Sequence, residues 1–167
     1  METDPDRAIE HLFRKHYTLV TRAVYRVLSD RAVAEDIAQE VFLDLWRKRE
    51  KLTITSSLPA YLHRAAVNRT LNYLRDQKMK FAEDEKMPEL RSAAPAPYEN
   101  MAAAELQKKI NAAVDSLPER CRAVFSLSRF EDMSYKEIAE RLNISVKTVE
   151  NQVSKALGVL RRAVGRE

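Results

Sequence analysis

The stretch from Ser134 to Arg161, SYKEIAERLNISVKTVENQVSKALGVLR, decides how the whole chain is read. Ser134 and Glu137 have the spacing of a capping box, in which each side chain accepts a hydrogen bond from the other residue's free backbone N–H. Ile138, Ala139 and Leu142 then give a short apolar-striped helix, Asn143-Ile144-Ser145 fits a tight turn, and Ser145 can cap a second helix. Val149, Val153, Ala156, Leu157 and Leu160 recur near every 3.6 residues along it. A short helix, a three-residue turn and a second helix form the helix-turn-helix layout. At ~100° per residue, Val149, Val153, Ala156 and Leu160 point inward, while Lys147, Thr148, Asn151, Ser154, Lys155 and Arg162 point outward. Glu150 and Gln152 sit on the flanks. Those outward side chains suit a DNA major groove: amides pair with adenine, glutamate accepts from cytosine, and Lys and Arg reach guanine or phosphate. An ordinary solvated helical face is the alternative, disfavoured by the turn and helix that precede it.

Working towards the N-terminus, Leu106, Ile110, Val114 and Leu117 line one more helix, and Ser116-Leu117-Pro118-Glu119 fits a second capping box. Between residues 81 and 104 the composition changes: Pro88, Pro95, Pro97 and the tract Glu83-Asp84-Glu85 read as a flexible acidic linker of net charge −3. Plain solubilisation explains it equally well. Residues 1–80 carry +4 and residues 105–167 carry +3. The chain therefore divides into two basic modules, 1–80 and 105–167, around an acidic tether at 81–104.

The first module reads as three helices. Ile9, Leu12, Phe13, Tyr17, Val20, Val24 and Val27 predict one over about residues 7–28. Ser29 and Asp30 can cap a second reaching about residue 49, and Lys51 to Ser57 reads as a loop. Ser57, with Pro59 in the first turn, starts a third reaching about Lys80. On that third helix Tyr61, Arg64, Asn68, Asn72 and Arg75 fall within an arc of ~100°. One aromatic and four polar or basic groups on a stripe suit single-stranded DNA, with Tyr61 stacking on an unpaired base. A solvated face with Tyr61 at the core edge is the competing reading. The second helix has too much apolar surface. Val33, Ala34, Ile37, Ala38, Val41, Phe42, Leu45 and Trp46 cover ~220°, well beyond the ~100° stripe that one packing contact needs. Asp36, Gln39 and Glu40 edge this surplus. Either it is buried between two helices, or Phe42, Leu43 and Trp46 dock on a partner protein.

Several classes are excluded. The 167 residues include two glycines, Gly158 and Gly165, too few and too late for a phosphate-binding glycine loop. One cysteine, Cys121, forms no internal disulfide or cysteine zinc cluster, and His11, His16 and His63 lack metal-ligand spacing. No metal, cofactor or small-molecule substrate is expected, and no paired catalytic set is found, so no enzyme. Without a signal peptide or apolar run of ~18 residues, the expected location is the reducing cytoplasm. The overall charge of +4 hints at nucleic acid. The expected fold is all-α.

Three segments in this order carry a resemblance: AEDIAQEVFLDLWRKRE at 34–50, LPAYLHRAAVNRTLNYLRDQK at 58–78, and LPERCRAVFSLSRFEDMSYKEIAERLNISVKTVENQVSKALGVLR at 117–161. They resemble the extracytoplasmic-function (ECF) sigma factors of the sigma-70 family. The resemblance implies that the first module is sigma region 2 and the last is region 4. Asp36, Gln39, Glu40, Phe42, Leu43 and Trp46 would then grip the β′ clamp helices of core RNA polymerase. Tyr61, Arg64, Asn68, Asn72 and Arg75 would trap the melted minus-ten strand, with loop 51–57 reading a base. Lys147, Thr148, Glu150, Asn151, Ser154 and Lys155 would read the minus-thirty-five duplex, with region 4 on the β flap. It further implies control by an anti-sigma factor, in some relatives a membrane-bound one. Two departures are evident: Asp132 stands in a turn where relatives often have glycine, and Glu150-Asn151-Gln152 stands where many carry arginine. The runner-up is a two-module activator or repressor that binds palindromic duplex DNA as a dimer.

Overall fold

The structure is a computed structural model that describes residues 4–77 and 103–165. Among them are seven α-helices and no strand: α1 (Pro5–Val27), α2 (Arg31–Lys48), α3 (Leu58–Asp76), α4 (Ala103–Ser116), α5 (Glu119–Arg129), α6 (Tyr135–Leu142) and α7 (Val146–Val164). The chain separates into two compact units, Met1–Gln77 and Lys78–Glu167. Most of the proposed acidic linker lies outside the described residues. Its end does not, because α4 begins at Ala103, two residues earlier than the sequence reading placed the second module.

The first unit is a three-helix bundle in which every helix packs on the other two. Each helix starts where an oxygen can satisfy an otherwise free N–H. Asp4 accepts from the Asp6 amide at 3.1 Å. Asp30 accepts from the Val33 amide at 3.2 Å, and Ser57 from the Ala60 amide at 3.3 Å. Val20, Val24, Val27, Leu28, Ala34, Ala38, Leu62 and Ala66 are fully excluded from solvent. The periodic stripe of α1 is not buried uniformly: its C-terminal half is core, whereas Ile9, Leu12, Phe13 and Tyr17 are half-buried.

In the second unit α4, α5 and α6 all pack on α7. Val114, Leu117, Cys121, Phe125, Ala156 and Val159 form a buried cluster, with Ile110, Leu157 and Leu160 against it. The capping box at α6 is present in full: Ser134 Oγ accepts from the Glu137 amide and Glu137 Oε2 accepts from the Ser134 amide, each at 3.1 Å. Ser134→Ala should therefore lower the thermal stability of this unit by ~1 kcal/mol, the usual worth of such a cap, readable as a shift in its melting temperature. The second expected capping box does not form. Helix α5 begins at Glu119 with Pro118 as its cap and no side-chain cap bond. Ser116 lies two residues too early and instead donates to the Ala113 carbonyl at 2.6 Å, closing the end of α4.

Two residues hold left-handed backbone, Asp132 at φ 52° and Asn143 at φ 55°. Both belong to the short-polar class that tolerates this conformation. Asp132 thus does the work of the glycine that its turn would otherwise prefer, and Asn143 ends α6 so that Ser145 can start α7.

Candidate functional site

Three faces of the two units gather the sequence-expected residues. On α2, Leu43 and Trp46 remain 50% and 39% exposed. They are joined by Gln39 and Phe42, and by Ile9 and Phe13 of α1, around an open groove of about 540 Å³. Phe42 does not protrude as the sequence suggested. It is 4% exposed and meets the Phe13 ring edge-on at 5.0 Å between centroids, so it forms the floor. Trp46 is oriented at two points: its indole N–H donates to Asp6 Oδ1 at 3.1 Å, and the Arg49 guanidinium lies 4.3 Å from the ring centroid. A pinned ring can present an apolar edge without losing side-chain freedom on binding, which is how strong interface anchors work.

The carboxylates expected beside this groove lie elsewhere. Asp36 and Glu40 line a separate cleft between α2 and α3, together with Arg69, Asn72, Tyr73 and Asp76. Arg69 bridges the two helices, pairing with Glu40 at 2.9 Å and with Asp44. Sequence reasoning missed Arg69, whose partners are 29 and 25 residues away. It also missed Ile9 and Phe13 as groove walls, because a helical wheel of α1 alone places them among core positions.

On α3, Arg64, Asn68, Asn72 and Arg75 are all exposed and Tyr61 is half-buried. The stripe thus survives folding as one face, although Asn72 also edges the acidic cleft and Arg75 Nε contacts Asp76 Oδ1 at 3.3 Å.

On α7, Lys147, Glu150, Asn151 and Ser154 are exposed, and Thr148 and Lys155 are half-buried. Ser145 Oγ accepts from the Thr148 amide at 3.0 Å and hydrogen-bonds the Thr148 hydroxyl at 2.8 Å, fixing the first turn. Gln152 is a correction to the expected flank position. It is 6% exposed, on a helix packed against α5, and Cys121 Sγ of α5 donates to its backbone carbonyl at 3.3 Å. Val146, 42% exposed at the first position of α7, is an addition. An apolar group there suits a thymine methyl, a role that sequence patterning cannot separate from core.

Among the described residues no group of three or more His, Cys, Asp or Glu is placed to hold a metal ion. No helix among them is long and apolar enough to cross a membrane.

Comparison with known proteins matches both units to families. The family model for sigma-70 region 2 matches residues 12–79, and that for sigma-70 region 4 matches residues 107–160. The chain is 28% identical over 147 residues to the ECF RNA polymerase sigma factor SigW of Bacillus subtilis, covering 83% of this chain and 79% of SigW. It is 30% identical over 156 residues to the ECF sigma factor SigE of Mycolicibacterium smegmatis, covering 91% of this chain and 60% of that protein. Among solved structures it is similar to the sigma factor RpoE in complex with the anti-sigma factor NepR from Bartonella quintana. That match has 19% identity and a TM-score of 0.45, and covers 95% of this chain and 98% of the other. With both sigma regions matched in order and ECF factors aligned along most of its length, the chain belongs to the ECF group of the sigma-70 family.

Proposed function

We propose that this chain is a promoter-specificity factor that joins core RNA polymerase, brings it to two promoter elements and holds the melted strand, without catalysing a reaction itself. The groove between α1 and α2 carries the reading: Leu43 and Trp46, with Ile9, Phe13 and Phe42, leave contiguous apolar surface open around it, and such surface calls for a protein partner. In this reading the groove takes the β′ clamp helices, with Asp36 and Glu40 flanking the contact from the neighbouring cleft. Tyr61, Arg64, Asn68, Asn72 and Arg75 hold the nontemplate minus-ten strand. Lys147, Thr148, Glu150, Asn151, Ser154 and Lys155 read the minus-thirty-five duplex while region 4 rests on the β flap. The two modules divide at the acidic segment that precedes α4, which begins at Ala103. Membership of the group supports cytoplasmic action under restraint by an anti-sigma factor.

The test is reconstituted transcription from genomic fragments, with purified chain and core polymerase. Specific starts should appear only when both are present. Tight duplex binding by the chain alone, on palindromic sites, would instead favour the dimeric-regulator reading. Tyr61→Ala should slow promoter opening by roughly tenfold, from a base-stacking term of ~1–3 kcal/mol, while leaving polymerase binding unchanged. A permanganate footprint of the melted region reads both the rate and the extent.

A further inference from the structure

Helix α1 carries a charged flank that none of the three faces uses. At ~100° per residue, Lys15, Leu19, Arg22 and Arg26 fall within an arc of ~60°. All four are exposed, and Tyr25 stands beside them at 42%. The ion pairs at the start of α1 join Arg7 to Asp4 and Arg14 to Glu10. Lys15 and Arg22 form none among the described residues. Two uncompensated cations beside an exposed aromatic ring make a surface suited to a polyanion.

The position of this flank follows from the grooves. Ile9 and Phe13 line the groove shared with α2, so α2 lies on their side of α1. Lys15, Arg22 and Arg26 lie roughly 100–180° round α1 from those two residues, on exposed surface outside that groove. On α3, Arg69, Asn72, Tyr73 and Asp76 line the cleft shared with α2. Arg64 and Arg75 lie within ~20° of each other on α3, are exposed, and do not line that cleft. Helices α1 and α3 pack directly on each other. Exposed basic residues thus stand on two helices that pack directly on each other, those of α3 within the strand-holding stripe.

We propose that this α1 flank, centred on Lys15 and Arg22, is a second phosphate track that binds promoter DNA alongside the α3 stripe. The inference rests on the function proposed above and extends its DNA surface from one helix to two. Phosphate contacts of this kind supply affinity and register rather than base specificity, so the flank would set how tightly the open complex holds, not which promoter is chosen.

The test compares full-length chain carrying Lys15→Ala and Arg22→Ala with wild type, each assembled with core polymerase on one promoter fragment across a series of salt concentrations. Each phosphate contact contributes roughly 0.7–0.9 to the slope of log affinity against log salt. The double variant should therefore lose roughly 1.4–1.8 from that slope and bind several-fold more weakly, with promoter preference unchanged. Lys15→Arg with Arg22→Lys should restore the slope. An unchanged slope in a variant that still binds core and initiates would overturn the α1 track and leave the proposed function standing. Reduced affinity for core polymerase itself would also overturn it, by making the flank a protein contact. Failure of the wild-type holoenzyme to bind any promoter would overturn both.

Discussion

Leu43→Glu combined with Trp46→Ala should abolish capture by core RNA polymerase, weakening binding by about 100-fold or more, while the helical content of the chain stays at its wild-type level. Truncating a central anchor costs at least ~2 kcal/mol when it fills a partner's pocket, and a carboxylate on the groove wall adds a buried charge with no partner. The fold should tolerate both changes because neither side chain is core. Leu43 is half exposed, and Trp46 contributes one hydrogen bond to Asp6 and one stacked guanidinium to α1 and α2. Together these are worth roughly 1–2 kcal/mol at an exposed site. Fluorescence-polarisation binding to core polymerase gives the first quantity and far-ultraviolet circular dichroism the second. Loss of helicity on Trp46→Ala alone would return the ring to the core and remove the groove as a docking site.

Ile138→Ala should have the second large effect, confined to the C-terminal unit. Ile138 is 0% exposed, on the short helix that packs against α5 and α7. Deleting its three outer carbons leaves a cavity and costs ~2–5 kcal/mol. A core of this size holds only ~3–5 kcal/mol in reserve, so the unit should be largely unfolded at physiological temperature. The expected record is a melt in which part of the helical signal is lost early. Minus-thirty-five binding should go with it, while capture by core polymerase through α1 and α2 is retained. A single early transition that takes all the helical signal would show that the two units unfold together.

The sequence showed local structure well where one side chain caps one helix. Asp30, Ser57, Ser134 and Ser145 all sit at the start of the helix they were expected to start, because a cap is decided within four residues. Ser116 failed for the same reason inverted. Its motif was intact, but Pro118 set a cap two residues later, and the hydroxyl turned back to the Ala113 carbonyl. The surplus apolar arc of α2 was also legible, since eight apolar positions on one helix exceed any single packing face. What filled it was not. Phe42 went down to the groove floor against Phe13, and only Leu43 and Trp46 stayed open.

By itself the sequence determined that the chain is helical, that it ends in a helix-turn-helix unit, and which residues of α3 and α7 share a face. Each of these depends on periodicity or on contacts within one turn, and both are properties of neighbouring residues. Only the tertiary structure decided that Ile9 and Phe13 complete a groove with α2. The same holds for Arg69, which ties Glu40 and Asp44 to α3, and for Gln152, which is buried. Those outcomes join residues on separate helices. Their positions are set by how the helices rotate about their axes to bury the apolar stripes, which no single segment contains.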